Sequence, residues 1–370
     1  MYGENDTDGR YAEAVALLAE LVRVPSFSGE EGGAADVMAG FLAGKGVEVR
    51  RKGNNLWAYN RHYDPAKSTI LLNSHLDTVK PNPGYLRDPF DGAVESGRLY
   101  GLGSNDAGAS AVALTAAFLR FYDEPGLSGN LCLALTAEEE RSGRGGIESV
   151  WPELGPVAYA VVGEPTGMHP AVAEKGLLVL DCVARGKAGH AARKEGVNAI
   201  YEAMRDIEWF RTYRFAEVSP LLGEVNMAVT VIEAGTQHNV VPAECRFTVD
   251  VRVTERYTLE EVLETVRKHV ACEATPRSVR LRPSSVPEDN PFLREAVALG
   301  RVPFGSPTLS DQALLPVPSL KMGPGDSARS HAADEYVELS ELREGIALYI
   351  RILERVLAGK AKGDGTWGSL

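Results

Sequence analysis

Three apolar runs in this sequence, each as long as a buried β-strand, end directly in residues that can bind a metal ion or carry a proton. The runs and the polar residues after them are 69–73 with His75 and Asp77, 131–136 with Glu138 and Glu139, and 158–162 with Glu164. Helical patterns separate the runs, which predicts an α/β fold with helices on both faces of a sheet. Because ligands bind beyond the carboxyl ends of strands in such sheets, these polar residues are expected to share one site.

The pattern changes after about residue 173 and changes back after about residue 285. Between these positions the predicted elements follow the order β-α-β-β-α-β, with a last short strand at 278–282, which is typical of a ferredoxin-like unit. About 110 residues are enough for a separate domain. We therefore predict one domain built from residues 1–173 and 286–370, and a second domain, 174–285, inserted into it.

Composition narrows the classes of partner. The 370 residues carry a net charge of −12, which argues against nucleic acid and anionic membranes as partners. No apolar run approaches the ~20 residues of a membrane span, and the polar, acidic start of the chain is unlike a secretory signal. The four cysteines are scattered without C-x-x-C spacing, which indicates reduced, mostly structural thiols in a cytoplasmic protein.

His75 and Asp77 lie two positions apart at the end of the first run. Residues i and i+2 of an extended chain point to the same face, so the imidazole and the carboxylate leave the strand side by side. A carboxylate beside an imidazole fixes its tautomer, as is usual for a metal-bound histidine. The alternative interpretation is a strand-end histidine bonded to an aspartate of a turn.

His75 belongs to a larger set of candidate metal ligands that offers oxygen and nitrogen donors and no thiolate. Its members are His75, Asp106, Glu138, Glu139, Glu164 and His331. Such a set suits zinc, manganese or cobalt, and two such ions ~3.5–4 Å apart form a known hydrolytic arrangement. Adjacent Glu138 and Glu139 need separate roles: if one is a ligand, the other can be the general base. The alternative for the Glu138-Glu139-Glu140 run is a solvated acidic loop.

Four further positions are weaker candidates. The loop from Gly323 to His331 is rich in glycine and serine and contains Arg329, so a substrate carboxylate could dock there. His190 in the second domain could stabilise an oxyanion, and Asn239 and Arg252 could bind a carboxylate. For each of these side chains, an ordinary structural or surface role is the alternative.

Taken together, the motifs resemble the M20 family of dinuclear metallohydrolases over nearly the whole chain. The stretches that carry the resemblance are Ser74-His75-Leu76-Asp77-Thr78-Val79, Gly101-Leu102-Gly103-Ser104-Asn105-Asp106, Thr136-Ala137-Glu138-Glu139, Gly163-Glu164-Pro165-Thr166, Gly189-His190-Ala191-Ala192 and the loop ending at His331. Within the family, the sequence is most similar to the branch of acetylornithine deacetylases and succinyl-diaminopimelate desuccinylases. Six motifs in family order, interrupted by an insert of the right size, make the resemblance specific.

The resemblance implies a fold and a set of roles. The fold would be a metallopeptidase-like mixed sheet with an inserted lid and dimerisation domain, and the peptide after Asp106 would be cis. His75, Asp106 and Glu164 would hold one divalent ion, and Asp106, Glu139 and His331 a second, with zinc the expected metal and cobalt or manganese possible. Asp77 would orient His75, and Glu138 would be the base. His190 would reach the site of a partner subunit, while Asn239, Arg252, Gly323 and Gly325 would contact the substrate.

The implied activity is a linear amide hydrolase of arginine biosynthesis that removes an N-alpha acetyl or succinyl group from ornithine or citrulline. An aminoacylase, a desuccinylase or a dipeptidase of the same family is the first alternative, and a non-catalytic binding relative is the second. A nucleotide-binding protein would need a G-x-G-x-x-G motif or a P-loop, which this sequence lacks. One departure from relatives lies beside a metal ligand, where Ser104-Asn105 precedes Asp106 instead of the frequent Gly-Arg-Gly.

Overall fold

A computed structural model describes residues 4–193 and 195–358, and these divide into two compact units. Of the described residues, 4–172, 286–304 and 310–358 form the first unit, and 173–193, 195–285 and 305–309 form the second. The helices are α1 (Glu4–Val22), α2 (Gly32–Gly44), α3 (Ala109–Phe121), α4 (Ile147–Val150), α5 (Ala199–Thr212), α6 (Leu259–His269), α7 (Pro291–Ala298) and α8 (Leu339–Leu357). No helix in this described part is both long and apolar enough to cross a bilayer.

The strands range from 2 to 10 residues in length. They are β1 (Arg50–Lys52), β2 (Asn55–Tyr59), β3 (Thr69–His75), β4 (Val94–Glu95), β5 (Arg98–Tyr100), β6 (Asn130–Thr136), β7 (Tyr159–Val162), β8 (Ala171–Glu174), β9 (Gly176–Arg185), β10 (Gly189–His190), β11 (Asn226–Ala234), β12 (Val240–Val241), β13 (Glu244–Val253), β14 (Glu273–Pro276), β15 (Ser284–Ser285), β16 (Phe304–Ser306), β17 (Ser319–Lys321) and β18 (Tyr336–Glu338).

The first unit is built around a mixed sheet in which β1, β2, β6, β3, β7 and β17 lie side by side in that order. Strand β3 pairs in parallel with β6 and β7, whereas β2 pairs with β6 antiparallel. Every residue of β3 and of β6 is buried, as expected for strands that are covered on both faces. Helices α1, α2, α3 and α8 supply the core on one face, and α4 packs on the other, which confirms the predicted α/β class.

The parallel pairing brings the predicted site residues to one edge of this sheet. His75 at the end of β3 lies opposite Thr136 at the end of β6, and Asn73 lies opposite Val162 at the end of β7. The turns that follow these three strands therefore start from the same edge, so the run of glutamates and Glu164 begin beside His75.

The second unit contains an antiparallel sheet with the strand order β11, β13, β9, β14. Burial alternates along β9, whose inward residues pack with those of β13, α5 and α6 in a separate core. The order of its elements is the β-α-β-β-α-β order expected of a ferredoxin-like unit. The strand predicted at 278–282 is wrong: the last strand of this sheet is β14, where Ala274 is buried while Glu273 and Thr275 are exposed.

Candidate metal centre

Asp106 lies between the two predicted histidine ligands. Its Oδ1 is 3.3 Å from His75 Nε2, and its Oδ2 is 3.9 Å from His331 Nε2. The two oxygens of one carboxylate thus face two different imidazoles, which is the geometry that a bridging ligand needs. The peptide bond from Asp106 to Ala107 is cis, as the resemblance implied.

Three glutamates complete the cluster. Glu164 Oε1 and Glu139 Oε2 lie 3.8 and 3.9 Å from His75 Nε2, and Glu140 Oε2 lies 3.0 Å from His331 Nε2. Ligand atoms of His75, Asp106 and Glu140 fall within 4.8 Å of one another, as do those of His75, Glu139 and Glu164. The structure therefore brings together five predicted ligands and adds Glu140, which was not among the predicted ligands.

The cluster is electrostatically unbalanced without a cation. Burial, together with the charges of Glu164 and Asp311, raises the pKa of Glu139 well above its usual range. Burial and the charge of Asp106 raise the pKa of Glu164 to about 8. Glu164 Oε1 is buried and has no hydrogen-bond partner, although it faces His75. An orphaned carboxylate oxygen among oxygen and nitrogen donors fits divalent cations such as zinc, manganese or cobalt.

Asp77 supports the cluster in two directions. Its backbone carbonyl is 2.8 Å from His75 Nδ1 and accepts the ring N–H, whereas its carboxylate Oδ1 is 3.5 Å from that nitrogen. The carboxylate instead accepts the backbone N–H groups of Glu139 and Glu140, at 2.9 and 3.0 Å, and the hydroxyl of Ser28 at 2.6 Å. The residue thus fixes the imidazole through its main chain and the glutamate turn through its side chain.

Glu138 does not join the cluster, and this corrects the predicted role of general base. Its backbone is left-handed, with φ of 60°, and its N–H donates to the buried carboxylate of Glu31 at 3.1 Å. Its side chain leaves the site, forming an ion pair with Arg141 at 2.7 Å and accepting the N–H of Gly145 at 3.1 Å. Within the Glu138-Glu139-Glu140 run, the two residues that face the histidines are therefore the second and the third.

Glu335 holds the loop that carries Asp106, a role that no sequence motif indicates. Its carboxylate is 2 % exposed and accepts the backbone N–H groups of Gly103, Asn105 and Asp106 at 3.1, 2.9 and 2.9 Å. Burial and the charge of Asp106 raise its pKa to about 7. Three N–H donors that would otherwise be buried without acceptors are satisfied by one side chain.

The loop from Gly323 to His331 packs beside the turn after β7. Gly323 O accepts the N–H groups of Thr166 and Met168, and Gly325 O accepts that of Gly167. Arg329, which the sequence offered as a partner for a substrate carboxylate, is instead bonded to both oxygens of Glu341, at 2.7 and 2.6 Å. Its guanidinium is occupied, and the part of this loop left for a substrate is the backbone around Gly323 and Gly325.

The remaining predicted residues belong to the second unit. His190 pairs with Val240 between β10 and β12, and the carbonyl of Asn239 accepts the N–H of Ala191, so His190 and Asn239 are neighbours. The Arg252 guanidinium is bonded to Asp250 at 2.8 and 3.1 Å. A residue that the sequence did not indicate accompanies it: burial, with the charge of Arg252, lowers the pKa of Lys175, whose ammonium donates to Glu224 O at 2.8 Å.

The fold and the cluster define a metal-dependent hydrolase. A model of peptidase family M20/M25/M40 matches residues 71–355, and the chain belongs to this family. It is 27% identical to a succinyl-diaminopimelate desuccinylase of Cereibacter sphaeroides, over 94% of this chain and 99% of the relative. It is 31% identical to an acetylornithine deacetylase of Myxococcus xanthus, over 86% and 87% of the two chains.

The fold also matches solved structures over nearly its whole length. One of them is the YXEP protein of Bacillus subtilis, a dinuclear metal binding peptidase from the M20 family. Its TM-score with this chain is 0.71 at 17% sequence identity, and the match covers 95% of this chain and 99% of the other. At this identity the likeness establishes a shared fold.

Proposed function

We propose that this protein is a two-metal amidohydrolase that removes the acyl group from an N-acyl amino acid. The observation that carries the proposal is the position of Asp106, whose two oxygens face His75 and His331. His75, Asp106 and Glu164 would hold one cation, and Asp106, Glu140 and His331 the other. This assignment replaces Glu139 by Glu140 as a ligand, because Glu140 Oε2 is the oxygen that lies 3.0 Å from His331 Nε2.

Glu139 takes the role of general base. When bound, the two cations would supply Lewis acidity that acidifies a bound water molecule and polarises the acyl carbonyl. In this assignment Glu139 is not a ligand, and its Oε2 lies 3.9 Å from His75 Nε2, so its carboxylate would accept the proton of the attacking water and return it to the leaving amine. Asp77 holds Glu139 in place through the backbone and keeps His75 in the tautomer that leaves Nε2 free to ligate.

The substrate class follows from the chemistry of the chain and of its relatives. Acetyl or succinyl derivatives of ornithine or citrulline are our leading substrates, which would place the protein in arginine biosynthesis. The similarity to an acetylornithine deacetylase supports this choice. Arg252, although bonded to Asp250, remains our proposed contact for the substrate carboxylate. The desuccinylase relative favours one alternative, N-succinyl-diaminopimelate in lysine biosynthesis.

A substrate panel tests the proposal. Chelator-treated protein reloaded with zinc or cobalt would be assayed against acetyl- and succinyl-ornithine, the citrulline equivalents, succinyl-diaminopimelate and simple dipeptides. We expect the highest kcat/KM for an acyl-ornithine or acyl-citrulline and none in excess chelator. A preference for succinyl-diaminopimelate or a dipeptide would move the protein to another branch. No bound metal together with no hydrolysis would leave the non-catalytic binding relative as the better interpretation.

We further propose that the second unit mediates a homodimer and lets His190 serve the partner's site as an oxyanion donor. Strand β11 is the edge of its sheet and carries Val231 and Ile232, which are 50% and 54% exposed. Helix α5, which packs next to β11, exposes Tyr201 and Met204. Apolar side chains along an unpaired edge strand favour association with a second chain.

Sedimentation velocity tests the dimer. Ile232→Asp is expected to yield a monomer, whereas Val297→Asp, at an exposed apolar position of α7, keeps the wild-type mass. If Ile232→Asp sediments like the wild type, this edge is not the interface.

A further inference from the structure

Three loops that carry proposed metal ligands meet at residues 323–326, which we call the 323–326 loop. Thr166 and Met168 donate to Gly323 O at 3.2 and 2.9 Å, so the turn that begins at Glu164 is attached to one side of this loop. His331 follows the same loop five residues later in the chain. The remaining side is joined by Asn105, the residue directly before Asp106.

Asn105 makes a two-bond bracket with the backbone of Asp326. Its Nδ2 donates to Asp326 O at 3.1 Å, and its Oδ1 accepts Asp326 N–H at 3.0 Å. Asn105 is fully buried, so water does not compete for these bonds. An amide that donates and accepts at one residue fixes both the distance and the orientation of two segments.

The 323–326 loop has room for the Asn105 side-chain amide because residue 325 is a glycine. Gly325 has φ of +97°, and a Cβ at that position would lie 2.4 Å from Asn105 Oδ1. The main-chain N–H of Asn105 is bound to Glu335 at 2.9 Å, so the backbone of the residue cannot drift while its side chain holds Asp326.

We propose that Asn105 is a positioning residue that sets Asp106 relative to His331, and that affinity for the second cation depends on it. This inference rests on the proposed two-metal function. Asp106 and His331 would ligate the same cation from different loops, and the bracket joins the residue before Asp106 to the loop that leads to His331. The first cation depends less on the bracket, because His75 lies at the end of β3 and Glu164 directly follows β7.

A pair of asparagine variants tests the proposal in the full chain. Asn130 provides a matched control because it is 1% exposed and brackets Asp64 with the same two bonds, at 2.8 and 2.9 Å, at the other end of β6. Chelator-treated wild type, Asn105→Ala and Asn130→Ala would be titrated with zinc by calorimetry. For Asn105→Ala we expect the dissociation constant of the second site to rise ~10–100-fold with the first changed only a few-fold, whereas Asn130→Ala binds like the wild type.

The outcomes separate this inference from the function on which it rests. If the wild type binds zinc at two sites and Asn105→Ala leaves both affinities unchanged, the positioning role is overturned and the proposed function stands. The same holds if both variants weaken the two sites equally. A wild type that binds fewer than two zinc ions would overturn the proposed function and the inference with it. If Asn105→Ala does not fold, Asn105→Ser replaces it, since a serine cannot form the bracket and leaves a polar group in place; the same selective loss at the second site is expected.

Discussion

Asp77 accepts the backbone N–H of Glu139 at 2.9 Å, although the sequence indicated it only as the partner of His75. Its second oxygen accepts the N–H of Glu140 at 3.0 Å, so two consecutive main-chain groups end on one carboxylate. Because the ring N–H of His75 is accepted by the carbonyl of the same residue, Asp77 sets the imidazole and both glutamates together. A change at Asp77 should therefore disturb more than the histidine.

The first prediction concerns Asp77→Asn. An amide oxygen can keep one of the two N–H bonds, but its NH₂ group meets the other N–H as a second donor. We expect the metal-free protein to lose about 1–3 kcal/mol of unfolding free energy and zinc affinity to fall ~10–100-fold. Urea unfolding and zinc titration measure the two effects. Ser28→Ala is the control, because it removes the hydroxyl bonded to Asp77 and leaves both N–H bonds; equal effects in the two variants would refute this view of Asp77.

The second prediction separates Glu139 from Glu138. With both metals retained, Glu139→Gln should lower kcat by ~10²–10⁴-fold, because an amide cannot take up the proton of the attacking water. Glu138→Gln should stay within a few-fold of the wild type, since its carboxylate is bound to Arg141 and Gly145 outside the cluster. Steady-state kinetics on variants with measured metal content decides between them. The reverse pattern would restore Glu138 as the base.

The third prediction concerns the acceptor role of Glu335. In Glu335→Gln the new NH₂ group faces one of the three backbone donors, so a buried N–H loses its partner. We expect a loss of about 1–3 kcal/mol in unfolding free energy, measured by urea unfolding of metal-free protein at pH 8. Glu295→Gln, which breaks only an exposed pair with Arg355, should change stability by less than about 0.5 kcal/mol. Comparable losses in both variants would remove the special role of Glu335.

The fourth prediction is a pH dependence of the metal-free protein. The folded-state pKa is raised to about 8 for Glu164, to about 7 for Glu335 and to about 9 for His331, in that last case chiefly by its bond to Glu140. Each group binds its proton more tightly when folded, so the folded state holds more protons than the unfolded state between the two pKa values. Stability should therefore fall as pH rises from about 5 to about 9.

Bound zinc should abolish this decline, because it takes the place of the protons and binds best when the ligands are deprotonated. Urea unfolding at several pH values, with chelator and with zinc, measures both curves. A metal-free stability that rises across this range would show that the carboxylates are not held at raised pKa.

The sequence predicts the helices and strands that are marked by a regular pattern of apolar residues. The apolar runs at β3, β6 and β7 locate the strands to within a residue or two at each end. The strand expected at 278–282 does not form although Val279 and Leu281 alternate along it, whereas β14 forms with Ala274 as its one buried residue. Whether such a short edge segment forms a strand depends on how it is buried, and its burial depends on the rest of the sheet.

The types of residue in the candidate site could be predicted from the sequence, but which glutamate of the run faces the histidines could not. Alternation along β6 cannot tell which member of a glutamate run turns inward, because the chain leaves the strand at Ala137 and Glu138 adopts φ of 60°. That conformation is uncommon outside glycine and carries no sequence signal in a run of identical residues. The structural roles of Glu31, Asn105 and Glu335 could not be predicted for a related reason, since each acts on backbone groups that are remote in sequence.

The three consecutive N–H groups of the glutamate run each have an assigned acceptor, Glu31 for the first and Asp77 for the next two. In evolutionary terms the three glutamates are therefore not interchangeable. A chain that loses Glu139 cannot recover by sliding a neighbouring glutamate into its place, because the slide would strip these bonds and move the left-handed turn to another residue. Insertions or deletions between Thr136 and Arg141 should accordingly be absent from active descendants of this sequence, however acidic their replacement residues are.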